Sequence, residues 1–143
     1  MSRREPNYID LVILENELML KKDALYDEWQ KLNKIENEYY KRYKYAGDQY
    51  FQQKHELWEF KEEKKRLILD KHYHDLTSIN EKIQVAKQIL DETEEHYLEA
   101  QTEFAEKQAE RDRKHEKFHE ALDEWKSVKE KMDNFTTKSP PST

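Results

Sequence analysis

A seven-residue repeat of apolar side chains runs through the C-terminal half of the sequence and limits the folds open to the chain. Two positions of each repeat are mostly apolar, which is the heptad pattern of a coiled-coil helix. The a positions are Leu76, Ile83, Leu90, Tyr97, Phe104, Arg111, Phe118, Trp125 and Met132. The matching d positions are Ile79, Ala86, Thr93, Ala100, Lys107, Lys114, Ala121, Val128 and Phe135. The pattern predicts a long helix whose seam packs on another helix.

The N-terminal half carries a heptad line of its own, which predicts a second long helix. Its members are Leu11, Leu18, Leu25, Leu32, Tyr39 and Ala46, flanked by Leu14, Trp29, Ile35 and Tyr43. The chain has 1 Gly and 3 Pro, and the prolines lie near its ends, so almost nothing between them interrupts a helix. Charged residues make up 41% of the chain and hydrophobic residues 35%. This balance is typical of long exposed helices rather than of compact enzymes.

Two all-α topologies fit these helices. In the segment HDLTSINEK, Ser78 and Glu81 have the spacing of a capping box, which predicts a turn near residues 76 to 78. The chain is then one antiparallel coiled-coil hairpin, residues 8–135, with arms of about 8–76 and 78–135. In that register Trp29 lies beside Trp125, and Leu57 and Trp58 lie near Tyr97 and Ala100. The alternative is an elongated three-helix bundle of 8–46, 49–76 and 79–135, with a turn at Gly47.

The ends of the sequence differ from this domain. Residues 1–7 read as a flexible basic leader, and residues 136–143 as a disordered tail whose Ser139-Pro140 pair is open to a regulatory role. No run of 18 apolar residues and no secretory pattern is present. Because the chain has no cysteine, a disulfide or a Cys-ligated zinc site is impossible. We expect a soluble, cytoplasmic protein.

The stretch HEKFH, residues 115–119, matches the His-Glu-x-x-His pattern of zinc metalloproteases. In those enzymes two histidines on one helix face bind zinc, and the glutamate activates the bound water. Here Phe118 takes a seam position, so Glu116 would face away from the partner helix and His119 mostly toward water. A protease needs that glutamate in a closed cleft. We expect His115 and His119 to form at most an adventitious metal site, with no cofactor and no catalytic activity.

Two further histidines, His72 and His74, lie close to the predicted turn. Residues two apart point in different directions on a helix, which makes them a poor metal pair. No Gly-rich phosphate loop and no Ser/His/Asp arrangement in a strand-turn-helix context is present either. The sequence therefore predicts no catalytic site.

The most apolar segment is YIDLVILENELML, residues 8–20. In the predicted register it extends past the end of the partner helix, and an uncovered apolar helix face normally marks a protein interface. We predict that the chain docks a protein partner or a second copy of itself through Tyr8, Ile9, Leu11, Val12, Ile13, Leu14 and Leu18. Tyr40 and Tyr45, which point outward from the stretch YYKRYKYAGDQYF, are additional partner-binding candidates.

The remaining large seam residues are expected to hold the arms together. They are Leu25, Trp29, Leu32, Tyr39, Ile83, Leu90, Tyr97, Phe104, Phe118, Trp125 and Met132. The net charge of −6 is mild and mixed in sign, which argues against nucleic acid or an anionic membrane as partner. We expect the partners to be proteins.

In size, in its two long arms and in its lack of another domain, the sequence over residues 8–135 resembles the helical-hairpin stalk proteins of type III secretion and flagellar export. The resemblance is one of architecture. It implies a rod that docks into the ring of an export ATPase through its turn or its termini. Cytoskeletal or tethering coiled coils and membrane-associated helical bundles share this architecture. The function predicted first is a non-enzymatic interaction rod that serves as an adaptor, an assembly subunit or a chaperone-type subunit.

Overall fold

The computed structural model describes residues 7–137, which form two long helices joined by a short turn. Helix α1 spans Tyr8–Leu69 and helix α2 spans Leu76–Thr137, with a single 3₁₀ turn at Tyr73–Asp75 between them. No strand occurs within residues 7–137. The two helices pack against each other, which confirms the predicted all-α hairpin. Residues 1–6 of the predicted leader and residues 138–143 of the predicted tail lie outside the described residues.

Helix α1 begins at a reciprocal pair of hydrogen bonds. The backbone N–H of Asp10 donates to Asn7 Oδ1 at 2.9 Å, and the backbone N–H of Asn7 donates to Asp10 Oδ2 at 3.3 Å. These bonds satisfy two amide groups that a helix start would otherwise leave without partners. From there α1 continues through Gly47 without a break. The three-helix alternative is therefore wrong.

Helix α1 ends in a Schellman motif, which sets the position of the turn. The N–H of His72 donates to the carbonyl of Leu67 at 2.9 Å, and the N–H of Lys71 donates to the carbonyl of Ile68 at 3.2 Å. Lys71 adopts the left-handed conformation, with φ of 59°, where glycine is the usual residue. The turn thus precedes the predicted residues 76–78. Ser78 lies inside α2 rather than capping it.

The described residues fall into two compact units, residues 36–107 and residues 7–35 with 108–137. We call the first the turn unit and the second the terminal unit. In the turn unit Leu57, Ile79, Ile83 and Ala86 form a buried apolar cluster. Leu57 therefore packs closer to the turn than predicted, and Trp58 is exposed rather than paired with α2.

Four aromatic rings stack in the turn unit, alternating between the helices. Phe104 stacks on Tyr43 at 5.7 Å, Tyr43 on Tyr97 at 5.4 Å, and Tyr97 on Tyr50 at 5.5 Å between ring centroids. The interplanar angles of these pairs are 8°, 20° and 11°. The Tyr97 ring lies directly over Gly47, where a Cβ atom would come within 2.8 Å of Tyr97 Cε2. Glycine is required here by close approach, not by backbone conformation.

The hydroxyl groups of Tyr43 and Tyr97 lie 3.2 Å apart within this stack. The hydrogen bond between the two hydroxyl groups, together with desolvation, raises the pKa of Tyr97 above its ordinary value of about 10. A raised pKa in the folded state favours the protonated hydroxyl. The resulting stability is complete below about pH 10 and is lost as the pH rises through the folded pKa.

We expect the substitution Tyr43→Phe to return the pKa of Tyr97 toward its ordinary value, because the hydroxyl that forms the hydrogen bond with Tyr97 is gone. The measurement is an NMR titration of the Tyr97 ring carbon that bears the hydroxyl. Tyr45→Phe serves as the control, since Tyr45 is exposed and makes no part of the stack. If Tyr97 titrates alike in the wild type and in Tyr43→Phe, the hydrogen bond does not control this hydroxyl.

The core of the terminal unit shows that the predicted register is wrong. Trp29 stacks on Phe118 at 6.0 Å between centroids, so it faces the seam residue one heptad before Trp125. Trp125 instead packs on the buried cluster of Leu11, Leu18 and Val128. Its indole N–H donates to Glu15 Oε1 at 3.0 Å.

The residues predicted for the seam occupy buried or half-buried positions in their units. They are Leu25, Trp29, Leu32, Tyr39, Ile83, Leu90, Tyr97, Phe104, Phe118, Trp125 and Met132.

Within residues 7–137, neither helix has a segment that is both long enough and apolar enough to cross a bilayer.

Candidate protein interaction site

An apolar stripe lies exposed on α1 near its N-terminal end, in the terminal unit. Ile9, Ile13 and Leu20 are 68%, 53% and 67% exposed. Together with the exposed Asn16, they are spaced four, three and four residues apart, which is the spacing that one coiled-coil helix presents to another. We call Ile9, Ile13, Asn16 and Leu20 the N-terminal stripe. These residues have the spacing of a second coiled-coil seam, but no helix among residues 7–137 packs on them.

The other residues of the predicted docking face lie outside the stripe. Leu14 and Tyr8 are partly exposed on opposite sides of α1, each more than about 100° around the helix from the centre of the stripe, and the Tyr8 ring lies 5.8 Å from that of Phe135. Val12 is half-buried. Leu11 and Leu18 are buried in the hairpin core. The prediction that these two meet a partner therefore needs correction, because α2 extends far enough to cover them.

The charges around the N-terminal stripe are acidic. Residues 8–20 contain Asp10, Glu15 and Glu17 and no lysine or arginine. The Glu15 carboxylate accepts a hydrogen bond from the Trp125 indole N–H. Asp10 and Glu17 are exposed. An apolar stripe with one acidic edge results, because Asp10 and Glu17 are seven residues apart and lie on the same side of the stripe.

Tyr40 and Tyr45, the additional candidates, belong to the turn unit rather than to the unit that carries the stripe. The Tyr40 ring leans on Phe104 at 5.5 Å between centroids. Tyr45 is 68% exposed. The Tyr45 ring is thus exposed, whereas part of the Tyr40 ring packs on Phe104.

The HEKFH histidines lie on one face of α2, with their Nε2 atoms 3.0 Å apart. The His115 ring packs against Trp29 at 4.5 Å between centroids. Glu116 is exposed. Among residues 7–137, no third His, Asp or Glu ligand atom joins this pair. The geometry is that of a two-histidine surface pair beside an aromatic ring.

An ion pair crosses the seam in the terminal unit. Lys114 Nζ lies 2.6 Å from Glu28 Oε2. The hydrogen bond from Lys114, together with its positive charge, lowers the pKa of the Glu28 carboxyl. A lowered pKa adds stability above the ordinary carboxyl pKa, and this stability is lost as the pH falls through the lowered value.

A second exposed aromatic surface was missed by the sequence analysis. Phe51, His55 and Trp58 follow one another at helical spacing on the outer side of α1 in the turn unit, and all three are exposed. The rings of His55 and Trp58 stack at 5.8 Å between centroids. Extending the α1 heptad line through Gly47 to Leu57 and Phe60 would have placed Trp58 outside the seam.

The turn also brings together side chains that the sequence analysis kept apart. The ligand atoms of His72, His74 and Asp75 all lie within 4.8 Å of one another, and all three residues are exposed. His72 and His74 were expected to point in different directions because a helix was assumed there. Since His72 lies outside both helices, that reason does not apply.

None of the known protein families, curated proteins and solved structures compared with this chain matches it.

Proposed function

We propose that the chain is a non-enzymatic coiled-coil interaction protein that binds an amphipathic helix of a partner protein along the N-terminal stripe. The observation that carries this proposal is the a/d spacing of Ile9, Ile13 and Leu20, each more than half exposed, on a helix whose other face already has a packed seam. Exposed apolar residues in such a pattern are what helix-in-groove and coiled-coil partners bury. We place this role in the cytoplasm, where a chain without cysteine needs no disulfide.

The size of the stripe supports a modest affinity. Burying a large aliphatic side chain contributes about 1.5–3 kcal/mol, and association itself costs about 4–15 kcal/mol. Three such side chains therefore offset the lower part of that cost. Val12 and Met19, which are half-buried along one edge of the stripe, would have to add to the contact. We infer a reversible contact of the kind that adaptors and assembly subunits make.

The acidic edge of the stripe indicates the chemistry of the partner. Asp10 and Glu17 lie exposed beside it, and residues 8–20 carry no basic side chain. A partner helix with lysine or arginine at its flanking positions would be attracted, whereas an acidic one would be repelled. Asn16 within the stripe favours a polar residue opposite it, since a buried polar pair sets the register of a coiled coil.

The test uses two synthetic helices with leucine at the a and d positions, one with lysine and one with glutamate at e and g. Binding to the full chain is measured by fluorescence anisotropy. We expect the lysine helix to bind and the glutamate helix to bind far more weakly. The double substitution Ile9→Asp and Ile13→Asp should abolish binding while leaving the helicity by circular dichroism nearly unchanged. Leu11 is avoided because it is buried in the core.

The matched control is the pair Val85→Asp and Ile89→Asp, which has the same spacing on an exposed part of α2 in the turn unit. That variant should still bind the lysine helix. Equal loss in both variants, or unchanged binding in the first, would contradict the proposal. If sedimentation shows a wild-type dimer that the Ile9 and Ile13 substitutions make monomeric, the partner is a second copy rather than a basic helix.

A further inference from the structure

The turn between the helices holds three side chains of the kinds that bind transition metals. Two imidazoles, His72 and His74, and one carboxylate, Asp75, have ligand atoms within 4.8 Å of one another. We propose that these three residues bind one divalent transition-metal ion of the zinc, nickel and copper class. This site is in the turn unit and does not depend on the docking function proposed for the terminal unit.

The backbone of the turn positions these ligands. The two hydrogen bonds of the Schellman motif fix the chain up to His72, and the N–H of Asp75 donates to the carbonyl of His72 at 3.2 Å to close the 3₁₀ turn. On a continuous helix, residues 72 and 74 would project about 200° apart. The break in the helix replaces that divergence with a tight loop, which lets both rings face the same space.

The distances need only a small adjustment to suit a metal ion. Ligand atoms about 2.0–2.1 Å from a tetrahedral ion lie about 3.3–3.5 Å apart. His74 Nε2 is already 3.5 Å from Asp75 Oδ2, and the rings of His72 and His74 stand edge to face at 6.0 Å between centroids. All three side chains are exposed, so rotation about their side-chain bonds can bring the third atom closer.

The donor set selects the class of ion. Neutral imidazole suits Zn²⁺, Ni²⁺ and Cu²⁺, whereas Mg²⁺ and Ca²⁺ prefer sites built entirely from oxygen. Three protein ligands on an exposed turn leave at least one coordination position for water or for a group from another molecule. The site would therefore bind the ion with an open position.

The HEKFH pair is the natural comparison within the same chain. His115 and His119 supply two nitrogen ligands, and His115 also packs on Trp29. Two ligands bind an ion more weakly than three of similar kind. The turn should accordingly be the tighter of the two sites.

Isothermal titration calorimetry of the full chain with Zn²⁺, in a buffer that does not bind metals, tests this assignment. The reference protein carries His115→Ala and His119→Ala, which removes the other histidine pair. We expect it to bind one equivalent of Zn²⁺ and to show no heat with Mg²⁺. Adding His72→Ala or His74→Ala should weaken Zn²⁺ binding by more than about tenfold, since even residues that only support metal ligands contribute 10–100-fold.

Asp75→Asn is the third variant, and it should also weaken Zn²⁺ binding. His55→Ala, an exposed histidine in the same unit, is the matched control and should leave binding unchanged. Circular dichroism checks that each variant keeps its helices. The proposal fails if the reference protein binds no stoichiometric Zn²⁺, or if its binding is the same with and without the histidines of the turn. Neither result bears on the binding of a helix to the N-terminal stripe.

Discussion

Replacing Leu18 with alanine is expected to lower the free energy of unfolding by about 2–4 kcal/mol. Leu18 is 8% exposed and clusters with Leu11 and Val128, so truncation removes buried apolar contact and leaves a gap in the seam. Urea denaturation followed by far-ultraviolet circular dichroism measures the change.

Leu20→Ala provides the matched control for this experiment. Leu20 is 67% exposed and lies two residues away on the same helix, so the small gain in helix propensity is the same in both variants. We expect its effect to stay within about 0.5 kcal/mol. Equal effects at Leu18 and Leu20 would mean that α2 does not cover this end of α1. That is the arrangement that the register predicted from the sequence implies.

Replacing Gly47 with alanine is expected to destabilise the hairpin by about 1 kcal/mol, the opposite of the usual result inside a helix. Alanine normally gains about 1 kcal/mol over glycine at an exposed helix position. Here the new Cβ would meet the Tyr97 ring at 2.8 Å, and overpacking costs about 1–3 kcal/mol. Because Tyr97 is stacked between Tyr43 and Tyr50, its ring has little room to yield.

A double-mutant cycle separates the two contributions at this position. In a Tyr97→Ala background the clash is gone, so Gly47→Ala should stabilise the chain by about 1 kcal/mol through helix propensity alone. The coupling between the two sites should then be about 2 kcal/mol, within the range for residues in contact. Thermal or urea unfolding of the four proteins gives this value. A stabilising Gly47→Ala in the wild-type background would show that the ring moves aside freely.

The helices and their seams could be predicted from the sequence, but the register could not. Heptad repetition is a property of a single helix, so the α2 seam from Leu76 to Met132 is visible without its partner. Pairing is different, because a seam that repeats every seven residues finds new apolar neighbours after sliding by whole heptads. Trp29 has an apolar partner at Phe118 and would also have one at Trp125.

The position of the turn fixes which of these registers forms, but the turn is difficult to recognise from its sequence. The left-handed position of a Schellman motif is normally glycine, yet here it is Lys71. Ser78 and Glu81 have the spacing of a capping box, although both lie inside α2. Local sequence signals therefore favoured a turn several residues too late, and the hydrogen bonds made by His72 and Lys71 place it earlier.

The candidate docking face was predicted in part. The strongly apolar character of residues 8–20 identifies its segment, but the sequence pattern fits Leu11 and Leu18 equally to the heptad line and to the docking face. Only the register decides which role each takes, and it places them in the core. Ile9 and Ile13 remain exposed on the other side of α1. The ligand cluster at the turn escaped prediction for the related reason that His72 was assigned to a helix.

The aromatic stack makes the turn unit sensitive to changes in chain length. Each of its rings depends on a neighbour from the opposite helix, and adding one residue to either helix rotates everything beyond it by about 100°. A single insertion between Tyr43 and Tyr50 would therefore turn one of these two rings away from Tyr97. Removing one whole heptad from each helix at facing positions would leave the remaining seam residues in phase. We therefore expect insertions and deletions to be tolerated in matched steps of seven, and a shift of one residue to be more damaging than the loss of fourteen.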